Sequence, residues 1–298
     1  MRRHILDSPI SYYAIFLFVR YLPIRLCHWL GKLVALLVYS FSRKDRDGLA
    51  SNLSLALKRP PDDPFIKKTV RQIFKNYGHY MVDFFLMPLL PSHKIKKFIA
   101  EFKGLEILEH ALANGKGVIL LAAHLGNWEF GSLFLRFKNY QLNVVALAHN
   151  TSSTNALVNR LRRNKAINVI EVNGSSFSGI EILRCLRNNE IVAMIGDRDF
   201  FGRGRPITFF GEKVSFPVGP VVLAMKSGAA LIPAFVLRQS DGRYFGVLEE
   251  AIPFLLEGDR DDAIEKNLGT TARIFEKYIL AYPDQWYRPD PIKKRLAS

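Results

Sequence analysis

The chain has 298 residues, 49% of them hydrophobic, with 22 Phe and 11 Tyr, which is enough for a sizeable core and excludes a disordered chain. Its two cysteines, Cys27 and Cys185, exclude a disulfide scaffold and stand at no metal-ligand spacing. Forty-two basic residues against 27 acidic ones leave a net charge of +15. Such a field favours nucleic acid, anionic lipid or an acidic protein partner without separating them.

The first forty residues are apolar but interrupted. Residues 8–19 and 33–42 carry no charge, and Arg20, Pro23, Arg25, His28 and Lys32 intrude between them. Neither uncharged run reaches the roughly 18–20 residues of a spanning helix. The chain continues through Tyr39, Phe41 and Arg43 with no small-residue cleavage site, which argues against a signal peptide. Basic residues interleaved with Tyr12, Tyr13, Phe16, Phe18 and Trp29 predict a helical segment at a membrane interface. The alternative is a core helix of a soluble protein. Residues 65–86 repeat the theme: Phe65, Thr69, Ile73, Tyr77, Tyr80 and Phe84 recur at helical spacing, with Lys67, Lys68, Arg71 and Lys75 on the other face. The Pro- and charge-rich stretch 58–64 marks the expected boundary between an N-terminal helical membrane-associating region, 1–64, and an α/β domain, 65–298.

From residue 104 the pattern alternates. Helices are predicted over 104–114, 127–138, 154–164, 179–188, 218–227 and 262–282, and strands over 117–123, 142–148, 168–172, 191–195, 230–237 and 244–248. The strand segments include continuous apolar runs, as strands buried on both faces require. This alternation implies an α/β fold with a mixed, mainly parallel sheet flanked by helices. Ligands in such sheets sit outside the carboxyl ends of the strands.

The chemistry concentrates where strand 117–123 runs into His124-Leu125-Gly126-Asn127-Trp128-Glu129. On one continuous helix His124 and Glu129 would lie roughly 140° apart. A strand–loop–helix junction brings them closer: His124 leaves the strand, Gly126 permits a sharp turn, Asn127 caps the helix, and Glu129 sits in its first turn. An ionised Glu129 holding one imidazole nitrogen would leave the other as a base. Backbone N–H groups at the helix start could meet a developing oxyanion. A buried histidine satisfied by a backbone carbonyl is the plainer alternative. Asp197 and Asp199 flank Arg198 at another strand end, in the expected crevice, with a loop salt bridge as the alternative. Arg162 and Arg163 could clamp a phosphate or simply face solvent. His149 reads as crevice wall and Cys185 as core. Acyl chain length would depend on where Phe130, Phe134 and Leu135 point.

These residues carry a resemblance. His-x4-Glu in GKGVILLAAHLGNWEF is similar to the signature of the bacterial lipid A late acyltransferases, within the glycerolipid acyltransferase superfamily. Leu161-Arg162-Arg163-Asn164-Lys165 resembles that family's arginine-bearing helix. Gly196-Asp197-Arg198-Asp199-Phe200-Phe201-Gly202 resembles its second acidic block, and Phe209-Phe210-Gly211 and Phe216-Pro217-Val218-Gly219-Pro220 resemble the segments next in its order. Pro283-Asp284-Gln285-Trp286 resembles the start of its C-terminal block, after which Tyr287-Arg288-Pro289-Asp290 departs from the family's second tryptophan and paired basic residues. The resemblance implies transfer of a fatty acyl chain from an acyl carrier protein or coenzyme A thioester to a hydroxyl of a lipid A precursor. It implies His124 and Glu129 as the catalytic pair, and Asn127, Arg162, Arg163, Asp197, Arg198 and Asp199 at the substrate. No metal or other cofactor is expected, since a base and an oxyanion site suffice for the chemistry. The expected partners are acidic acyl carrier protein and anionic membrane lipid at the cytoplasmic face of the inner membrane. The alternatives are acylation of a lysophospholipid or a phosphoinositol mannoside glycolipid. From another class comes a basic nucleic-acid-binding protein, for which no zinc spacing, RNA-recognition signature or phosphate loop is present.

Overall fold

A computed structural model of the protein describes residues 9–86, 89–148, 151–172, 177–254 and 259–292. Two helices open the chain, α1 (Pro9–Tyr21) and α2 (Ile24–Phe41). Pro23, before the first turn of α2, separates them, because a proline disfavours the helical conformation of the residue before it. The interrupted apolar segment is therefore more continuous than its charges suggest. Arg25, His28 and Lys32 are carried within one helix of 18 residues, long and apolar enough to cross a membrane. Tyr13, Phe18, Tyr21, Trp29, Leu37 and Phe41 are exposed on this helix pair.

Helix α3 (Arg43–Leu57) ends at Lys58 in the left-handed conformation, and α4 (Pro64–Leu86) follows. The first half of α4 buries Ile66, Val70, Ile73 and Phe74 in the core that α3 shares with the sheet. Its second half buries Tyr80, Val82, Phe84 and Phe85 against a separate cluster. The glycine pair Gly31 and Gly78 lets α2 lie close on α4: a Cβ on Gly78 would stand 2.5 Å from the Gly31 carbonyl oxygen.

After α5 (Ser92–Phe98) the chain builds a mixed sheet of seven strands: β1 (Ile99–Lys103), β2 (Val118–Ala122), β3 (Leu142–Leu147), β4 (Asn168–Val172), β5 (Ile191–Ile195), β8 (Ala230–Arg238) and β9 (Tyr244–Leu248). Its order is β1-β9-β8-β2-β5-β3-β4, and only the β8–β9 pairing is antiparallel. Helices α6 (Leu105–Ala113), α7 (Trp128–Phe137) and α8 (Ser152–Arg163) cover one face. Helices α9 (Phe177–Arg187), α10 (Gly219–Ser227) and α11 (Arg260–Ala281) cover the other. The expected elements are present. Strand β1 and the hairpin β6 (Arg205–Phe209) and β7 (Glu212–Phe216) join them without having been foreseen. Each of the three is only five residues long. Cys185 is buried as expected, and His149 lies outside the described residues.

The chain passes from β2 over one face and from β5 over the other. The switch point between these neighbours is thus the crevice at their carboxyl ends. A 3-10 turn (Pro283–Gln285) then carries the C-terminal segment across that edge. Asn52 on α3 anchors it: its Nδ2 donates to the carbonyls of Arg288 (2.7 Å) and Asp290 (2.9 Å), and its Oδ1 accepts from the N–H of Ile292 (2.8 Å). Asn52→Ala should therefore cost about 3 kcal/mol, because it strands buried backbone groups rather than exchanging one bond for water. Denaturant unfolding monitored by tryptophan fluorescence measures the loss; a cost under about 0.5 kcal/mol would show that this anchor is dispensable.

Candidate active site

The His124 loop is built as its residues require. Gly126 has φ +69°, and a Cβ there would lie 2.0 Å from the carbonyl oxygen of Val236, so only glycine fits. Asn127 caps α7, its Oδ1 accepting from the N–H of Phe130 at 3.1 Å. The C-terminal segment clamps the loop from the other side. Gly126 N–H donates to the Gln285 carbonyl (3.1 Å), and Tyr287 N–H donates to the His124 carbonyl (2.9 Å).

The acid on His124 is Asp197. Its Oδ1 lies 2.5 Å from Nδ1 of the imidazole. The register explains the meeting: Ala122 on β2 pairs with Ile195 on β5, so His124 and Asp197 each stand two residues beyond a matched strand end. Glu129 does not reach the histidine. Both of its carboxylate oxygens are held by Arg162, through Nη2 and through Nε at 3.2 Å, in a bidentate pair with both side chains nearly buried. The expected His124–Glu129 contact is thus replaced by two acid–base pairs. Helix geometry turns the first-turn glutamate away from the loop and toward α8.

Asp197 is fully buried. Burial alone would push its carboxyl up. The charge and hydrogen bond of His124, then the charges of Arg288 and Arg198, outweigh burial and hold the carboxyl well below the usual range. Arg288 also donates through Nη1 to the Asp197 backbone carbonyl at 2.5 Å. Arg198 pairs with Asp290 and lies 4.6 Å over the Phe200 ring. Asp199 organises its own loop: its carboxylate accepts from the N–H groups of Phe201, Arg203 and Gly204 and from the Ser215 hydroxyl. Its pKa is lowered, these bonds overcoming burial. Arg163 is exposed on α8 and apart from the cavity lining.

A chain of polar contacts supports the loop from behind. Asn127 Nδ2 donates to the Tyr244 hydroxyl (3.0 Å), which donates to Asp83, and Asp83 lies 2.7 Å from His28 Nε2 on α2. Burial pushes His79, whose ring lies 4.6 Å from that of His28, down to about 2, so it stays neutral. Tyr244, Asp83 and Arg288 were not foreseen. The one sequence signal for Arg288 is its place just after the resembling C-terminal block.

His124, Asn127, Glu129, Arg162, Arg198 and Asp199 line a cavity of about 1220 Å³. On the α7 side its walls are Leu120, Val144, Ala193, Gly131, Ser132 and Leu135. Leu135 therefore faces the cavity. Phe130 stacks on Tyr244 instead (4.7 Å between centroids), and Phe134 stacks on Phe102 (4.4 Å). Trp128 and Phe200 flank the imidazole in edge-to-face arrangements, with ring centroids 5.5 and 6.1 Å away.

Residues 4–288 match the family described as bacterial lipid A biosynthesis acyltransferase. A phosphatidylinositol mannoside acyltransferase of Mycobacterium tuberculosis H37Rv is 28% identical over 82% of this chain and 75% of its own length. The lipid A biosynthesis lauroyltransferase of Escherichia coli K12 is 22% identical over 89% of this chain and 84% of its own. The palmitoleoyltransferase of the same organism is 24% identical over the same shares.

The Glu129–Arg162 pair yields a double-mutant test. Glu129→Gln and Arg162→Met should each destabilise the protein by about 3 kcal/mol, since each leaves a nearly buried charge alone. The double substitution should cost no more than either single one. Thermal unfolding of the four proteins in one detergent measures the cycle; additive losses would show the two charges to be independent.

Proposed function

The chain belongs to the bacterial lipid A biosynthesis acyltransferase family, and on that premise we propose that it is a membrane-associated O-acyltransferase. In this reading it moves a fatty acyl chain from an acyl carrier protein or coenzyme A thioester to a hydroxyl of a lipid A precursor. The carrying observation is the His124–Asp197 pair at an apolar cavity of acyl-chain size. A carboxylate can only accept, so Nδ1–H donates to Asp197 and Nε2 is left to act as base. Nε2 takes the proton of the acceptor hydroxyl as its oxygen attacks the thioester carbonyl. Asp197 stabilises the imidazolium that forms. The N–H groups of Trp128 and Glu129, in the first turn of α7, have no helical carbonyl to bond and are the candidate donors to the oxyanion. Collapse expels the thiolate, which recovers the proton from Nε2.

The remaining features fit the same reading. The donor chain would lie under α7, where Gly131 and Ser132 keep the helix surface small. Glu129, fixed by Arg162, would set the angle of the helix start rather than hold the imidazole. Lys44, Arg198 and Arg203 line the cavity and suit an acceptor that carries phosphate. The exposed aromatic and aliphatic side chains of α1 and α2, with Arg20, Arg25 and Lys32 among them, suit the anionic cytoplasmic face of the inner membrane. The net charge of +15 suits an acidic carrier protein as well. A phosphatidylinositol mannoside acceptor is the second reading, motivated by the mycobacterial relative. Both acceptors are anionic glycolipids.

The test is product mass spectrometry with the purified protein, a palmitoyl thioester and each glycolipid in turn. One acceptor should gain a single acyl group. His124→Ala should slow that transfer about 10²–10⁴-fold, and Asp197→Ala should be severely impaired. The double variant should be little worse than the worse single one, because the two act as a unit. No acylated glycolipid from either acceptor, or losses that multiply, would contradict the reading.

A further inference from the structure

The cavity at His124 is bounded by both faces of the sheet. Strand β3 contributes the consecutive residues Val144, Val145, Ala146 and Leu147 to its lining, and β5 contributes Ala193, Met194 and Ile195. Consecutive residues of a strand point to opposite faces. The packing agrees: Val144 and Ala193 belong to the cluster under α6 and α7, whereas Val145 and Met194 pack with α9 and α10. The cavity therefore straddles the carboxyl edge of the sheet, with one branch on each side. The branch on the far face is walled by Val145, Leu147 and Met194 from the sheet, Ile182 from α9, and Val222 and Leu223 from α10. It also contains two glycines, Gly179 on α9 and Gly219 at the start of α10. A Cβ on either would meet nothing within 4 Å. Gly131 on the α7 side differs, since a Cβ there would stand 2.7 Å from Val236 Cγ2. Phe177 and Ile180, the neighbours of this wall on α9, are 81% and 63% exposed, so the far branch has an apolar rim.

We infer that the far branch between α9 and α10 is a second acyl-chain site, occupied by a fatty chain of the acceptor lipid. The inference rests on the acyltransferase reading for the identity of the occupant. Its physical basis is separate: the branch is apolar, has open space beside two glycines, and is continuous with the cavity that contains His124. The near branch under α7 takes one chain, that of the donor. An acceptor that is itself a lipid brings its own apolar chain, and seating that chain on the far face would bring its hydroxyl to the sheet edge between the two branches. The sheet keeps the two chains apart while their reacting ends meet. Binding of the acceptor would then depend on its chain as well as on its headgroup.

Saturable binding of radiolabelled palmitate, below its aggregation concentration, tests the branch without needing turnover. The wild-type protein should bind two palmitates per chain. Gly179→Trp, which fills the far branch at an unstrained helical position, should bind one, and Gly179→Ala should keep two. Equal melting temperatures for the three proteins exclude misfolding as the cause. Palmitoyl coenzyme A should displace the palmitate that remains in Gly179→Trp and leave the far-branch palmitate of the wild type in place. One site in the wild type, or two in Gly179→Trp, overturns the inference. If both sites are present and Gly179→Trp removes one, but palmitoyl coenzyme A displaces neither, the second site stands and the donor reading of the near branch fails.

Discussion

Everything at the candidate site depends on one buried carboxylate. Asp197 has no access to water, and a carboxylate so placed must be paired or neutral. His124 pairs with one of its oxygens, Arg288 engages its backbone carbonyl, and Arg198 adds a second positive charge. The second oxygen, Oδ2, has no partner among the described residues. The histidine is held in one tautomer because its neighbour can accept and cannot donate. Nε2 is thereby the nitrogen left to accept, as the proposed mechanism requires of its base.

The surroundings keep this pair in place at several removes. The His124 loop is bonded to the C-terminal segment by Gln285 and Tyr287, and Asn52 on α3 bonds that segment at Arg288, Asp290 and Ile292. On the other side the cap residue Asn127 connects through Tyr244 and Asp83 to His28 on α2. Helix α2, which exposes apolar side chains, is thus tied by hydrogen bonds to the start of α7. Seating of α2 and geometry of the loop are coupled through these bonds.

Much of this was legible in the residues. Apolar runs bounded by turns located the alternation of strands and helices from β2 onward, because strands buried on both faces cannot hide their composition. The glycine turn at Gly126 and the cap at Asn127 were readable because only those residue types fit those positions. The partner of His124 was not readable. Spacing along the chain favoured Glu129, five residues away, whereas Asp197 is adjacent only because β5 lies beside β2 in the sheet. Strand order is a long-range property, set by crossovers that local pattern does not encode. The roles of Arg162 and Arg288 were hidden for the same reason, since each acts on a group brought near by packing. In α2 the basic residues suggested interruption, yet a helix carries Arg25, His28 and Lys32 without breaking.

The central claim is that Asp197, and not Glu129, orients the imidazole of His124. Nitrogen-15 and proton NMR of histidine-labelled protein tests it most directly. The Nδ1 proton of His124 should resonate far downfield in the wild type, as a proton donated to a buried carboxylate does. Asp197→Asn should abolish that signal, and Glu129→Gln should leave it in place. Loss of the signal in Glu129→Gln, with retention in Asp197→Asn, would contradict the account.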